Sequence, residues 1–319
     1  MLREDRPPTG PPRGTIAGLV PDDPHPAPPP LHASGDPVAP HAGGEEELVR
    51  LDPDHPGFRD PVYRVRRNAI ARLALEYRPG DPPPTVDYTD AEHSVWRTVW
   101  EHLAPLHSTN AVSEWRRGAA ELDLDQKFIP QLGEVNEELQ ASPGIEMLPV
   151  AGLISARGFL CSLGSGVFLS TQYIRHHSMP LYTPEPDVVH ELVGHATSFF
   201  RPEIVRLTRL FGEAAGKADE ETLRQLERVY WYTLEFGVAR EDGDVKAYGA
   251  GLLSSFGELG SFASQADLKP FDLAEIARAA YDPTSYQKAL FVAPSFSEME
   301  KRVGGWLEEV IGRSRDRKP

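Results

Sequence analysis

The chain of 319 residues carries 33 Lys and Arg against 48 Asp and Glu, a formal net charge of −15 with a pI near 5.2. That balance argues against a general nucleic-acid or anionic-membrane binder. Cys161 is the single cysteine, which excludes an internal disulfide framework and a thiolate metal cage.

No apolar run approaches membrane-spanning length, and the first residues, Met1-Leu2-Arg3-Glu4-Asp5-Arg6, lack an apolar signal core. The expectation is a cytoplasmic protein with neither a membrane nor a nucleic-acid partner. Residues 1–44 hold 12 of the 31 prolines. Such a composition cannot bury enough apolar surface to offset its ordering entropy, which predicts a disordered leader. Order begins near Leu51. Asp60-Pro61 reads as a helix start with proline at the first helical position, and Val62, Val65, Ala69 and Leu73 follow at spacings of three and four. Thr89-Asp90-Ala91-Glu92 is a capping box for a second helix carrying Val95, Trp96, Val99, Trp100 and Leu103. Helical patterns recur at 109–122, 130–140, 203–214, 219–240, 250–265, 272–280 and 295–312, with strand-like pieces at 147–150, 166–169 and 290–293. There is no internal repeat and no interior linker. The expected architecture is mostly α-helical (α+β): a single helix-rich domain over 45–312 with a few short strands, then a polar tail at 313–319.

The densest chemical signal is Asp187-Val188-Val189-His190-Glu191-Leu192-Val193-Gly194-His195, followed by Glu235 within Tyr230-Trp231-Tyr232-Thr233-Leu234-Glu235-Phe236-Gly237. Both segments are otherwise apolar, so two imidazoles and a carboxylate need partners in the interior, and a buried carboxylate is costly unless paired or bound to a cation. One alternative for Glu235 is an ion pair with Arg240. A shared metal site satisfies all three residues at once. Two histidines and one carboxylate without thiolate form the facial triad of non-haem Fe(II) oxygenases, and hydrolytic zinc sites use the same set. The histidines stand at i and i+5, about 140° apart on a helix of 3.6 residues per turn, unlike the i, i+4 pair of HExxH zinc proteases. A single wider π-type turn brings them nearly into line.

The surroundings of this motif resemble the pterin-dependent aromatic amino acid hydroxylases. The matching stretches include His55 to Arg64, Pro149 to Leu153, Ser170 to His176, Tyr182 to Asp187, the histidine motif, Tyr230 to Gly237 and Lys246 to Leu259. The resemblance spans about residues 50–310 and implies a catalytic domain built around a non-haem iron cleft. It implies that His190, His195 and Glu235 hold Fe(II), and that O2 and tetrahydrobiopterin serve to hydroxylate a free aromatic amino acid. Because the regulatory domain and tetramerisation helix of animal members have no counterpart in this sequence, it also implies a monomer or small homo-oligomer.

By the same resemblance, Gly152, Leu153, Ile154, Ala156 and Phe159 form the pterin loop, with Phe159 stacking on the ring and Glu191 and Tyr230 facing the cofactor. Arg175 is similar to the arginine that clamps the substrate carboxylate, a task suited to a planar guanidinium. Thr183 and Pro186 precede the metal helix. Trp231, four residues before Glu235, and Phe236 would wall the substrate ring, while Gly251, Ser254 and Ser255 line the amino acid pocket. The chain departs from the family pattern at Leu169, where animal members commonly carry histidine, at Ala156 in place of serine, at Ser165-Gly166-Val167-Phe168, and at Pro283 in a loop that varies with substrate. By the same resemblance Trp231 favours phenylalanine or tyrosine over tryptophan as substrate. The ranking is phenylalanine to tyrosine, then tyrosine 3-hydroxylation, then tryptophan hydroxylation; a zinc hydrolase and a catalytically silent binding protein are the readings from other classes.

Overall fold

Asp60 accepts hydrogen bonds from the backbone N–H groups of Val62 and Tyr63, and Pro61 opens α1, Pro61–Glu76. The computed structural model describes residues 48–140, 144–152, 154–283 and 285–316, so the leader expected over 1–44 lies outside them. The apolar stripe expected on α1 is not its buried face: Val62 and Val65 are 77% and 58% exposed, while Arg67, Ile70 and Ala71 are buried. The helix is turned inward by Arg67, whose guanidinium lies over the Tyr173 ring and pairs with Glu185 at 2.6 Å. A buried charge must meet its partner, and that need outweighs two surface valines.

The capping box forms as the sequence predicts. The Thr89 hydroxyl accepts from Glu92 N–H and the Glu92 carboxylate accepts from Thr89 N–H, opening α2, Asp90–Asn110. Its Val95, Trp96, Val99, Trp100 and Leu103 are all buried. α3, Ser113–Leu122, and α4, Leu132–Leu139, complete the first helical layer.

β1, Glu146–Pro149, pairs in parallel with β2, Val167–Ser170. Parallel strands need a crossover, here α5, Ala156–Gly164, which the sequence reading treats as loop. Ser155 caps it by accepting from Gly158 N–H. α6, Pro202–Ala215, crosses α5 with backbones in close approach: a Cβ on Gly212 would stand 1.9 Å from Gly164 N.

α7, Glu220–Tyr230, ends well short of residue 240, because the chain turns into a hairpin. β3, Val238–Glu241, and β4, Asp244–Ala247, pair antiparallel across Asp242-Gly243, both at positive φ (54° and 91°), the signature of a two-residue hairpin turn. The segment expected as one helix over 250–265 is two: α8, Ala250–Leu253, and α9, Phe256–Gln265, broken at Ser254-Ser255. β5, Asp267–Pro270, α10, Leu273–Ile276, and β6, Ala289–Ala293, follow. The larger sheet has the order β4-β3-β6-β5, with β6 parallel to both neighbours. α11, Phe296–Asp316, runs past residue 312, so the first residues of the expected tail are helical. One continuous apolar core runs from Trp96 on α2 to Leu307 and Ile311 on α11. The fold is helix-rich with short strands, as the sequence predicts.

Candidate active site

The chain from His190 to Ala196 is π-helical, and so is Trp231–Glu235, which continues α7. The wider turn does what the i, i+5 spacing requires: His190 Nε2 and His195 Nε2 lie 3.1 Å apart. The second stretch delivers Glu235, whose Oε1 is 3.1 Å from His195 Nε2 and whose Oε2 is 3.5 Å from His190 Nε2. Glycines let these segments meet the rest of the site. A Cβ on Gly194 would press on the Ala250 carbonyl of α8, and one on Gly249 on the Glu235 carbonyl. Arg240, the alternative partner for Glu235, is exposed on β3.

All three side chains are buried, and their donor atoms form a triangle that one cation, about 2.1 Å from each, would fill. The protonation states agree. Burial pushes the His190 imidazole down to about 4, so it is neutral, the form that ligates metals. Burial alone would raise the Glu235 carboxyl, but His195 and His190 together hold it below its ordinary range, as a carboxylate. The tautomer of His190 is fixed as well. The Ser254 hydroxyl donates to the Ala250 carbonyl at 2.8 Å, so at 3.0 Å from His190 Nδ1 its oxygen accepts from the imidazole N–H. Nε2 is thereby left with its lone pair facing the triangle.

Two clefts open on this triangle, and His190 and Pro186 line both. The first, about 570 Å³ with its open mouth included, is lined by Arg175, Thr183, Pro186, Phe236, Gly251, Ser254 and Ser255, seven of the eight residues expected to bind substrate. Trp231 lies one layer behind, its indole 4.6 Å from the Phe236 ring and 4.5 Å from Tyr281, with Nε1–H donating to Gln287. Arg175 is held by Asp187: Nε–H and Nη2–H donate to its two carboxylate oxygens at 2.8 Å, and the Arg175 backbone N–H donates to Oδ2 at 2.8 Å. The same Asp187 accepts from His190 N–H at the head of the π-helical stretch. Arg175 and His190 are thus tied to one carboxylate.

The second cleft, about 400 Å³, is lined by Gly152, Ile154, Phe159, Leu169, Thr171, Glu191 and all three triangle residues. Phe159 stands on α5 and meets Phe168 and Tyr230 edge-on. Ala156 and Tyr230 are buried behind the wall, and Leu153 lies outside the described residues. Burial lifts the Glu191 carboxyl to about 7, against the opposing pull of His195 and of the Thr171 N–H and hydroxyl, which both donate to it.

Residues 45–315 match the sequence model of the biopterin-dependent aromatic amino acid hydroxylases. The chain belongs to this family. Phenylalanine-4-hydroxylase of Caenorhabditis elegans is 43% identical over 267 residues, covering 82% of this chain and 58% of that protein. Tyrosine 3-monooxygenase of Drosophila melanogaster is 41% identical over 265 residues, covering 82% and 46%. The chain therefore spans about half the length of the curated relatives it matches. Among solved structures, Chromobacterium violaceum phenylalanine hydroxylase with bound iron(III) and oxidised cofactor 7,8-dihydrobiopterin is 28% identical with a TM-score of 0.68, covering 78% of this chain and 93% of that one.

The sequence reading assigned no role to several residues that shape the clefts. Tyr182, Tyr286 and Glu258 line the first, and Thr171 lines the second. Glu258 had a usable signal, an acidic side chain between Phe256-Gly257 and Leu259 in an apolar segment.

Proposed function

We propose that this chain is a monooxygenase that hydroxylates the ring of a free aromatic L-amino acid, phenylalanine to tyrosine first, with Fe(II), O2 and tetrahydrobiopterin. The observation that carries the reading is the His190–His195–Glu235 triangle at the junction of two clefts, one with an arginine clamp and the other with an aromatic wall. The relatives, named for phenylalanine or tyrosine, support the substrate class.

His190, His195 and Glu235 would hold iron, which together with the pterin supplies the oxygen-activating chemistry. The protein positions. Arg175 keeps both Nη1–H groups and one Nη2–H for a substrate carboxylate, since Asp187 takes only Nε–H and one Nη2–H. Pro184, Pro186, Phe236 and Gly251 give the ring an apolar wall without side-chain hydrogen-bonding groups. Trp231 supports that wall from behind. Thr183, Ser254 and Ser255 complete the amino acid pocket. In the second cleft Phe159 offers a face for pterin stacking, Gly152 and Ile154 border it, and Ala156 and Tyr230 back it. Glu191, fixed by Thr171, faces the cofactor. Leu169 adds apolar surface where a polar contact is common in the family.

The acidic balance supports small-molecule partners over nucleic acid, and no helix among the described residues is long and apolar enough to cross a membrane. A cytoplasmic monomer or small homo-oligomer completes the proposal.

The test is a product assay on iron-loaded protein with tetrahydrobiopterin and O2, offering phenylalanine, tyrosine and tryptophan separately. Tyrosine is expected from phenylalanine, at the fastest rate of the three. His190→Ala is expected to lose both bound iron and turnover. No hydroxylated product from any of the three with iron and pterin bound would overturn the reading.

A further inference from the structure

The first cleft holds three charged side chains besides the metal triangle, and two of them have their counter-charge. Arg175 lies against Asp187, and Glu185 pairs with Arg67 at 2.6 Å. The third, Glu258 on α9, has no ion pair among the described residues, although only 5% of it is exposed. Its hydrogen bonds are to neutral donors: Gln287 N–H donates to Oε1 at 2.9 Å, and the Ser255 side chain also bonds to it. A carboxylate has about four acceptor sites, so two stay open. Burial lifts this carboxyl to about 7, the mark of an anion that lacks a cation.

A free amino acid carries a carboxylate and an ammonium on neighbouring atoms. Arg175 accounts for the first; among the described residues of the cleft, Glu258 alone offers a negative side chain without an ion pair for the second. We propose that Glu258 receives the α-ammonium group of the substrate, forming with Arg175 a two-point clamp that selects free amino acids over aromatic acids lacking the amine. The assignment rests on the functional reading above and names which part of the substrate is read. Leaving a buried carboxylate without its cation is costly, so the ammonium-bearing ligand gains what the des-amino analogue cannot.

Glu258→Gln separates this role from a structural one. The amide keeps an acceptor oxygen for Gln287 N–H and Ser255 but removes the charge. The measurement is calorimetric binding of L-phenylalanine and of 3-phenylpropanoate to the anaerobic iron(II)-loaded full chain, wild type and variant, beside the product assay. Wild type is expected to bind phenylalanine more tightly than 3-phenylpropanoate by about tenfold or more. E258Q is expected to weaken phenylalanine binding by about 10- to 100-fold, with the larger effect on KM than on kcat, and to change 3-phenylpropanoate affinity by less than about threefold. Equal weakening of both ligands, or of neither, would overturn the assignment. If E258Q does not fold, by circular dichroism and iron stoichiometry, the wild-type comparison decides, and equal affinity for the two ligands overturns the clamp. Wild type that binds phenylalanine yet forms no product sinks the functional reading alone. Wild type that forms product while E258Q binds as wild type does sinks the ammonium assignment alone.

Discussion

At the scale of the residue, the triangle depends on atoms one step removed from it. Ser254 takes the His190 Nδ1–H because its own proton is committed to the Ala250 carbonyl. Ser254→Ala removes that acceptor, leaves the imidazole free to rotate or change tautomer, and is expected to weaken iron(II) affinity by about 10- to 100-fold. Competition with a chelator of known affinity measures it, and unchanged affinity would show that packing alone orients the ring. The three triangle residues were legible in the sequence because charged or ionisable groups in apolar helices stand out. Asp187 was not legible as the tie between Arg175 and His190. Its role depends on a fold that carries the segment before the π-helical stretch back against Arg175, a placement that residue spacing does not encode.

At the scale of the element, the i, i+5 histidines announced their π-helical stretch before any coordinates, since no regular helix puts both on one side. The second stretch, Trp231–Glu235, carries a single candidate ligand and no such spacing, so it reads as plain helix continuing to 240. The hairpin beyond it was signalled by Asp242-Gly243, but the apolar run before the turn fits a helix as well as a strand. α5 escaped notice because its short amphipathic run overlaps the expected cofactor loop. Its placement nonetheless depends on a sequence detail, the Gly164–Gly212 contact with α6. Gly212→Ala would drive a methyl into the α5 backbone, and the expected cost is about 1–3 kcal/mol of stability with a raised KM for pterin, because α5 carries Phe159. Gly216→Ala is the control. Its Cβ would meet nothing closer than 3.6 Å, and the change is expected to stay within about 0.5 kcal/mol of wild type. Urea titration of both variants decides; equal effects would remove the helix crossing as the cause.

At the scale of the whole molecule, stability toward acid follows from what the core holds neutral. His107, near the end of α2, is buried with Nε2 2.7 Å from the Leu253 carbonyl at the end of α8, and burial pushes its imidazole down to about 4 against the opposing pull of that carbonyl. In the unfolded chain the same imidazole titrates near 6.5. Between those values the unfolded state binds the extra proton, so stability rises with pH across the window. The contribution is fully present above about 6.5 and is lost as pH falls toward 4, amounting to about 3 kcal/mol over the interval. Glu191 and Glu258, lifted by burial to about 7, act in the opposite sense, since the folded state then holds the extra protons between their ordinary range and 7. A pH–stability curve of wild type alone therefore mixes the two signs. His107→Gln separates them: the amide can still donate to the Leu253 carbonyl but does not titrate. At pH 7 the variant is expected to be less stable through lost packing, and the gap between it and wild type is expected to narrow by about 2 kcal/mol as pH falls from 6.5 to 4.5. A gap that keeps its size across that window, in denaturant titrations at matched ionic strength, would mean His107 is not what acid attacks.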